Sequence, residues 1–180
     1  MVNDFPLKDF LYCPHCGSPR FVKHDAYSKH CLSCGFTFYP NAAAATVAII
    51  LNGRGQLLCI ERKKEPAKGT LDLPGGFVDP GESITEGLFR EVKEEINAEV
   101  ISFRFLFSEA NDYNYSNHIV HTADAFFLCT IKDETAISAA DDAARCMWLN
   151  LSEIRPSQFG LHSVRRGVEK LLQMRTTSLQ

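Results

Sequence analysis

The sequence predicts an α/β protein in which a mixed sheet lies between helices, with a small cysteine-rich module before it. Three observations support this fold class. The first 40 of the 180 residues hold four of the seven cysteines. From residue 41 onward, strand-like apolar runs alternate with two amphipathic helical patterns. Strands flanked by helices are typical of a sheet covered on both faces, so we predict a module at residues 1–40 and an α/β domain at residues 41–180.

Length and composition exclude several classes of protein. A chain of 180 residues is long enough for one ordinary domain plus a small module. The net charge of −3, from 19 basic and 22 acidic side chains, gives no electrostatic reason to expect a nucleic-acid or membrane partner. The N-terminus lacks a secretory signal pattern, and no apolar run approaches the roughly 18–20 residues of a membrane helix. An odd number of cysteines argues against a disulfide framework, so we expect a reduced, cytoplasmic protein.

Two Cys-x-x-Cys pairs, separated by 14 residues, dominate the N-terminal module. Each pair delivers two thiolates at a distance that suits tetrahedral Zn²⁺, and so short a segment buries too little apolar surface to fold without a staple. Gly17 and Gly35 follow the pairs, where the backbone favours a permissive residue. A redox pair or four ordinary cysteines would not explain the doubled spacing. We predict a closed, structural, non-catalytic zinc site formed by Cys13, Cys16, Cys31 and Cys34.

The α/β domain begins with a predicted hairpin. Residues 44–51 form an apolar run of strand length, Gln56–Arg62 is the return strand, and Asn52-Gly53 between them favours a type I′ turn. Alternation within residues 100–107 predicts another strand, because successive strand side chains point to opposite faces. The remaining predicted elements are an extended segment at 71–73, a loop at 74–76, strands at 119–131 and 146–149, and an amphipathic helix at 161–174.

A second helix is predicted over residues 83–96. Ser83 and Glu86 have the spacing of a capping box, in which each residue satisfies a backbone amide of the first turn. Asn97 tolerates the left-handed conformation that often ends a helix. An apolar stripe recurs every four residues and comprises Ile84, Leu88, Val92 and Ile96.

Three glutamates occupy distinct positions on this helix. Glu91 and Glu95 stack one turn apart beside the apolar stripe, whereas Glu94 faces away from the core. Stacked carboxylates repel unless a positive group lies between them, and hard cations such as Mg²⁺ or Mn²⁺ prefer all-oxygen ligands. A solvated charged face is the alternative, but the Pro-Gly-Gly segment before the helix favours a metal site. Gly87, one turn earlier, indicates either simple packing or close approach by a loop, a metal or a phosphate.

The spacing from Gly76 through Glu82 to the run Arg90-Glu91-Val92-Lys93-Glu94-Glu95 resembles the Nudix box, Gx5Ex7REUxEExGU, in which U is aliphatic. The match covers 23 positions and departs at Asn97 and Ala98, which stand for the last glycine and the last aliphatic residue. Asparagine tolerates the same backbone conformation as that glycine. On this motif the sequence is identified as a member of the Nudix family.

The resemblance implies an α/β/α sandwich and an enzyme that uses Mg²⁺ or Mn²⁺ to activate water against the pyrophosphate of a nucleoside diphosphate linked to another moiety. Arg90 would orient the glutamates, and Glu82 would contribute through the metal shell or the loop. Family members often take a further carboxylate from the loop before a late tryptophan strand. Asp142, ahead of Trp148, fits that place better than Asp141, although an exposed turn is the alternative. The other implied cation ligands are Glu91, Glu94, Glu95 and a backbone carbonyl near Gly75.

A four-cysteine zinc module directly before a Nudix domain also resembles the NADH pyrophosphatase branch, and Phe38-Tyr39-Pro40 resembles its linker. That branch carries an SQPWPFP motif shortly after the box, whereas this chain has Ser108-Glu109-Ala110-Asn111-Asp112-Tyr113 there. We therefore rank ADP-ribose-like and other adenine-containing diphosphates above NADH. Removal of a dinucleotide cap from RNA is chemically the same cleavage, and the sequence does not separate it.

Aromatic and basic residues near the box are candidate substrate contacts. Phe107, Tyr113 and Tyr115 could stack on adenine, with ordinary strand and loop aromatics as an equal alternative. A basic cluster after the second strand could meet the pyrophosphate, with a solvated loop as the alternative. This cluster comprises Arg62, Lys63, Lys64 and Lys68.

The competing class is a nucleotide-sensing or RNA-binding regulator with a Nudix-like fold and no turnover. The intact glutamates argue against it, because a sensor needs ligand shape more than a full metal cluster. The first 40 residues carry too weak a basic bias for nucleic-acid docking. We expect a small-molecule nucleotide as the partner, and the family resemblance allows a homodimer.

Overall fold

In the computed structural model, which describes residues 5–115 and 118–175, the chain forms two units, Met1–Asn41 and Ala42–Gln180. The first unit contains an antiparallel sheet of three short strands in the order β1-β2-β3. Its small core combines two cysteines with Phe21, as expected of a segment too short to bury much apolar surface. The strands are β1 (Phe21–Lys23), β2 (Lys29–Cys31) and β3 (Thr37–Phe38).

The second unit contains two sheets. A four-stranded mixed sheet has the order β7-β4-β9-β8, in which β4 and β9 are parallel and the other pairs antiparallel. A three-stranded antiparallel sheet has the order β10-β5-β6. The strands are β4 (Ala43–Ile50), β5 (Gln56–Arg62), β6 (Leu71–Asp72), β7 (Gly75–Phe77), β8 (Val100–Tyr115), β9 (His118–Ile131) and β10 (Ala143–Asn150).

Two α-helices accompany these sheets, α1 (Ile84–Ile96) and α2 (His162–Arg175). The predicted capping box of α1 is confirmed, since the Ser83 side chain accepts from the Glu86 amide and the Glu86 carboxylate accepts from the Ser83 amide. Asn97 ends the helix with a φ of 54°, as predicted. Among the described residues, no helix is long and apolar enough to span a membrane.

The helices cover opposite faces of the sheets, which confirms the predicted sandwich. Alternate side chains of a strand point to opposite faces. Ala48, Ile50, Leu58 and Ile60 accordingly pack in one buried cluster with Leu88, Val92 and Ile96 of α1, whereas Ile84 of the predicted stripe is exposed. Val47, Ile49, Leu57 and Cys59 pack in a second cluster with Val164, Val168 and Leu171 of α2. Each fully buried leucine, isoleucine or valine contributes about 1.5–3 kcal/mol relative to an exposed one, so the first cluster holds the glutamate helix α1 in place and the second holds α2.

The hairpin after β4 differs from its prediction. Gly55 has a φ of 73° and the Gly55 amide donates to the Asn52 carbonyl, so the loop is longer than a two-residue type I′ turn. The Asn52 Oδ1 atom accepts from the amides of Arg54 at 3.0 Å and Gln56 at 2.9 Å, which stabilises this longer loop. Apart from a bridge between Leu51 and Leu57, the two arms belong to different sheets.

The predicted loop at residues 74–76 was also wrong in part. Gly75 and Gly76 belong to β7, which pairs antiparallel with β4 through Val47↔Gly75 and Thr46↔Gly76. A Cβ atom at Gly75 would lie 2.0 Å from the Thr46 carbonyl oxygen, so only glycine permits this pairing. The glycines of the Pro-Gly-Gly segment therefore allow β7 to pair closely with β4, and they do not form a turn.

Candidate active site

The glycines of β7 place the backbone directly against the glutamate helix. A Cβ atom at Gly76 would lie 2.6 Å from the carboxyl carbon of Glu91. At Gly87 within α1, a Cβ atom would lie 3.2 Å from Val78 Cγ2 and 3.3 Å from Glu82 Oε2. Of the alternatives open for Gly87, the structure therefore shows close approach by the loop that precedes the helix.

Glu95 is the most buried of the three glutamates, with 6% of its surface exposed. Its Oε2 atom accepts a hydrogen bond of 2.9 Å from the Gly75 amide. Burial raises the pKa of Glu95 to about 8, because a charged carboxylate is poorly solvated there. The nearby carboxylates of Asp72 and Glu91 act in the same direction.

Burial likewise raises the pKa of Glu91, although Arg90 opposes the shift. The Arg90 guanidinium lies among the remaining acidic groups. It donates to Glu82 Oε1 at 2.8 Å, Glu91 Oε1 at 2.7 Å and Glu94 Oε2 at 3.1 Å. It also donates to the Phe77 carbonyl oxygen at 2.9 Å. The hydrogen bonds from Arg90 lower the pKa of Glu82 to about 2, so Glu82 and Arg90 form a charged pair that fixes the glutamates.

Two aspartates from the loop before β10 line the same cavity. Asp141 raises the pKa of Glu91 and Asp142 raises that of Glu95, which places both negative charges near the glutamates. Asp142 Oδ1 also lies 2.5 Å from Lys64 Nζ. Asp142 therefore reaches the predicted place, but one of its oxygen atoms is held by a lysine.

The glutamates line a cavity of about 280 Å³, to which residues of β4, β5, β6, β7, β8, β9, α2 and the loop before β10 also contribute. Tyr113 lines the cavity, and its ring meets Phe77 edge to face at 5.4 Å. The other two candidate stacking residues lie elsewhere. Phe107 stacks on Phe126 at 4.9 Å in the core on the α2 side, and Tyr115 is largely exposed outside the cavity.

One member of the basic cluster, Arg62, lines the cavity. Its Nη1 atom lies 2.5 Å from Asp72 Oδ2, and its Nε atom donates to the Pro66 carbonyl oxygen at 2.7 Å. Lys63, Lys64 and Lys68 do not line the cavity, and Lys64 forms an ion pair with Asp142, which does.

Several buried polar residues of the cavity were missed by the sequence analysis. These are Asp72, Asn111 and Asp124, each 5% exposed. The burial of Asp124 could have been predicted from the strand pattern. Asp124 lies two residues before the buried Phe126 on β9, so both side chains point to the same, inward face. No secondary-structure element was predicted between residues 107 and 119, so the inward orientation of Asn111 was not predicted.

The glutamate end of the cavity suits a hard divalent cation. Glu91 and Glu95 supply only oxygen ligands, and burial raises the pKa of each carboxyl. A bound cation would reverse that shift by stabilising the ionised forms. Gly76 leaves room at Glu91 that any side chain would fill.

The cysteines of the first unit suit zinc. Their four Sγ atoms all lie within 4.8 Å of one another. Cys13 and Cys34 are 3.8 Å apart and Cys16 and Cys31 are 3.6 Å apart. Four sulfur atoms about 2.3 Å from one tetrahedral ion are separated by about 3.8 Å. The predicted permissive backbone is confirmed by the φ values of 72° and 76° at the glycines that follow the two pairs, Gly17 and Gly35.

Comparison with known proteins shows the class that this fold and site define. The profile of the family described as NUDIX domain matches residues 40–171. The chain therefore belongs to the Nudix family.

One relative and two solved structures illustrate what the chain is similar to. A Chromobacterium violaceum protein named NAD-capped RNA hydrolase NudC is 34% identical over 113 residues, which cover 63% of this chain and 42% of that protein. The chain thus spans less than half the length of that relative. A crystal structure of a NUDIX hydrolase from Nitrosomonas europaea has a TM-score of 0.70 at 20% identity and covers 92% of both chains. The NUDIX domain of Shewanella oneidensis NrtR, complexed with ADP ribose, has a TM-score of 0.60 at 17% identity and covers 77% of this chain and 91% of that one.

Proposed function

We propose that this protein is a metal-dependent hydrolase that cleaves the pyrophosphate bond of a nucleoside diphosphate linked to a second moiety. One observation carries the proposal: two stacked glutamates, the buried Glu95 and the partly buried Glu91, line a cavity of about 280 Å³. Catalytic carboxylates with a pKa raised by burial are typical of functional sites.

The chain's own residues have separate parts in this proposal. Glu91 and Glu95 hold Mg²⁺ or Mn²⁺, and Arg90 fixes the Glu91 carboxylate through its 2.7 Å hydrogen bond. Glu94, Asp142 and the backbone carbonyl of Gly75 complete the proposed ligand set. The bound cation supplies charge compensation for phosphate and lowers the pKa of a coordinated water.

The proposed substrate is an ADP-ribose-like or other adenine-containing diphosphate. Two observations support an adenine nucleotide: the name of the Chromobacterium relative refers to NAD-capped RNA, and the Shewanella domain is complexed with ADP ribose. The branch motif that this chain lacks would fall at residues 108–113, and Asn111 and Tyr113 of that stretch line the cavity. Since the difference lies where substrate would bind, we rank NADH below ADP-ribose. A dinucleotide cap on RNA contains the same bond and stays within the proposal.

The four cysteines are proposed to hold a structural zinc ion. Four thiolate ligands fill a tetrahedral site and leave no open position for chemistry. We also propose a reducing, cytoplasmic location, supported by the seven free cysteines, because thiolates bind zinc only when they are reduced.

A substrate panel tests the proposed function. The protein is incubated with Mg²⁺ or Mn²⁺ and ADP-ribose, NADH, NAD⁺, FAD, diadenosine polyphosphates or nucleoside triphosphates, and products are identified by mass spectrometry. We expect metal-dependent release of a nucleoside monophosphate from ADP-ribose. Saturable binding of ADP-ribose without turnover of any panel member would instead identify a nucleotide sensor.

A further inference from the structure

The end of the cavity formed by β8, β9 and α2 has a polar floor. Asn111 lines this end with 5% of its surface exposed, and its side-chain amide makes no hydrogen bond with any residue that the structure describes. A buried amide without a protein partner is normally satisfied by water or by a ligand. A ligand in the cavity would satisfy both its donor and its acceptor atoms.

Asp124 lies beside it on the paired strand, where Thr122 faces Asn111 across the ladder. The Thr122 hydroxyl donates to Asp124 Oδ1 and the Ser163 hydroxyl donates to Asp124 Oδ2, each at 2.5 Å. A carboxylate accepts about four hydrogen bonds, so about two acceptor sites remain. These partners fix the orientation of Asp124 without using its whole capacity.

The walls of this end suit a flat, neutral group. Phe77 and Tyr113 supply aromatic rings, while Leu161 and Val164 supply aliphatic surface. The buried Asp72 carboxylate is paired with the Arg62 guanidinium at 2.5 Å, so these two residues together bring no net charge to the cavity. Aromatic walls over a floor of hydrogen-bonding groups are typical of sites for heterocyclic bases.

We propose that this end of the cavity is a nucleobase subsite, in which Asp124 and Asn111 select a base that carries an N–H donor on its edge. The orientation of the nucleotide rests on the proposed function, which places the pyrophosphate at the glutamates. Asp124 accepts from the exocyclic amine of the base, and the Asn111 amide meets a neighbouring ring nitrogen. Both are specificity-determining residues and take no part in bond cleavage.

Neutral nucleosides test this subsite without metal or turnover. Adenosine and purine riboside differ only in the exocyclic amine, and their dissociation constants are measured by NMR titration of the zinc-loaded protein without added Mg²⁺ or Mn²⁺. We expect adenosine to bind at least about tenfold more tightly than purine riboside. Purine riboside lacks the exocyclic amine and therefore leaves a buried acceptor of Asp124 unpaired. Equal affinities, tighter binding of purine riboside, or no saturable binding of adenosine would each overturn the proposal.

Two variants assign the discrimination to its residues. Asp124→Asn keeps the shape and replaces a charged acceptor by a neutral one, so the affinity ratio should fall several-fold. Asn111→Leu should weaken both nucleosides, because both carry the ring nitrogens that its amide meets. The matched control is Asp112→Asn. Asp112 is an exposed aspartate on β8 that does not line the cavity, so this variant should keep the wild-type affinity ratio.

The outcomes separate this proposal from the proposed function. Adenosine preference without hydrolysis of any diphosphate would retain the subsite and refute the hydrolase. Hydrolysis of ADP-ribose with no preference between the nucleosides would retain the hydrolase and refute the subsite. A wild-type ratio in folded Asp124→Asn, checked by its melting temperature, would remove Asp124 from the subsite.

Discussion

Replacing Glu95 by glutamine should have opposite effects on activity and on stability. The amide keeps an oxygen that can accept the 2.9 Å hydrogen bond from Gly75, but it removes the buried negative charge. In the proposed enzyme this loses one charged cation ligand. Loss of a comparable electrostatic contact costs on the order of 10²–10³ in kcat.

The stability effect follows from the raised pKa. Burial raises the pKa of Glu95 from 4.5 to about 8 in the folded protein. Folding therefore favours the protonated form, and the metal-free protein loses stability as pH rises from the unfolded pKa through about 8. The loss is on the order of a few kcal/mol once Glu95 is ionised. Glu95→Gln removes this loss, so the metal-free variant should melt above the wild type at pH 8–9.

The assays are turnover of ADP-ribose at saturating Mg²⁺ and thermal melting in EDTA. Glu99→Gln is the matched control, since Glu99 is exposed and pairs with Lys132 away from the cavity. The control should leave both quantities unchanged. If Glu95→Gln retains wild-type kcat, the proposed cation ligand is wrong. If it does not raise the melting temperature, the pKa shift is wrong.

Three further predictions concern the rest of the site. Arg90→Lys should lower kcat by roughly tenfold or more, because a single ammonium cannot reproduce the fork of contacts to Glu82, Glu91 and Glu94; a wild-type rate in steady-state kinetics would show that Arg90 does not position the glutamates. EDTA should abolish turnover, and Mg²⁺ alone should restore it. Cys31→Ser should lose its stoichiometric zinc, measured by mass spectrometry, and keep part of the activity. Activity that is recovered only by adding Zn²⁺ would show that the zinc is catalytic. The kcat/KM for NADH should not exceed that for ADP-ribose, and a value tenfold above every other panel member would reverse the ranking of substrates.

Local signals predicted the glutamate helix well. The capping pair Ser83 and Glu86 and the stop at Asn97 act within one turn of the chain, so their effect does not depend on tertiary contacts. The helical period then separates the buried Glu95 from the exposed Glu94. The same reasoning located both Cys-x-x-Cys turns, whose four Sγ atoms converge.

Features that depend on distant residues were less accessible. The strand pairing of Gly75 with Val47 joins segments almost 30 residues apart, and no local pattern distinguishes it from a loop. Asn111 and Asp124 face one cavity only because β8 and β9 pair in a particular register. Arg62 was recognised as a candidate, but its buried partner Asp72 was not, since the pair spans two strands.

Cleavage of ADP-ribose in ¹⁸O-labelled water tests the central claim most directly. The reaction contains Mg²⁺ and wild-type protein, and the products are analysed by mass spectrometry. The proposed chemistry adds water across the pyrophosphate, so AMP and ribose 5-phosphate should form with one ¹⁸O atom in one of the two phosphates. Omission of Mg²⁺ should stop the reaction. Unchanged ADP-ribose would contradict the proposed hydrolysis, and cleavage that proceeds equally well in EDTA would contradict a cation held by Glu91 and Glu95.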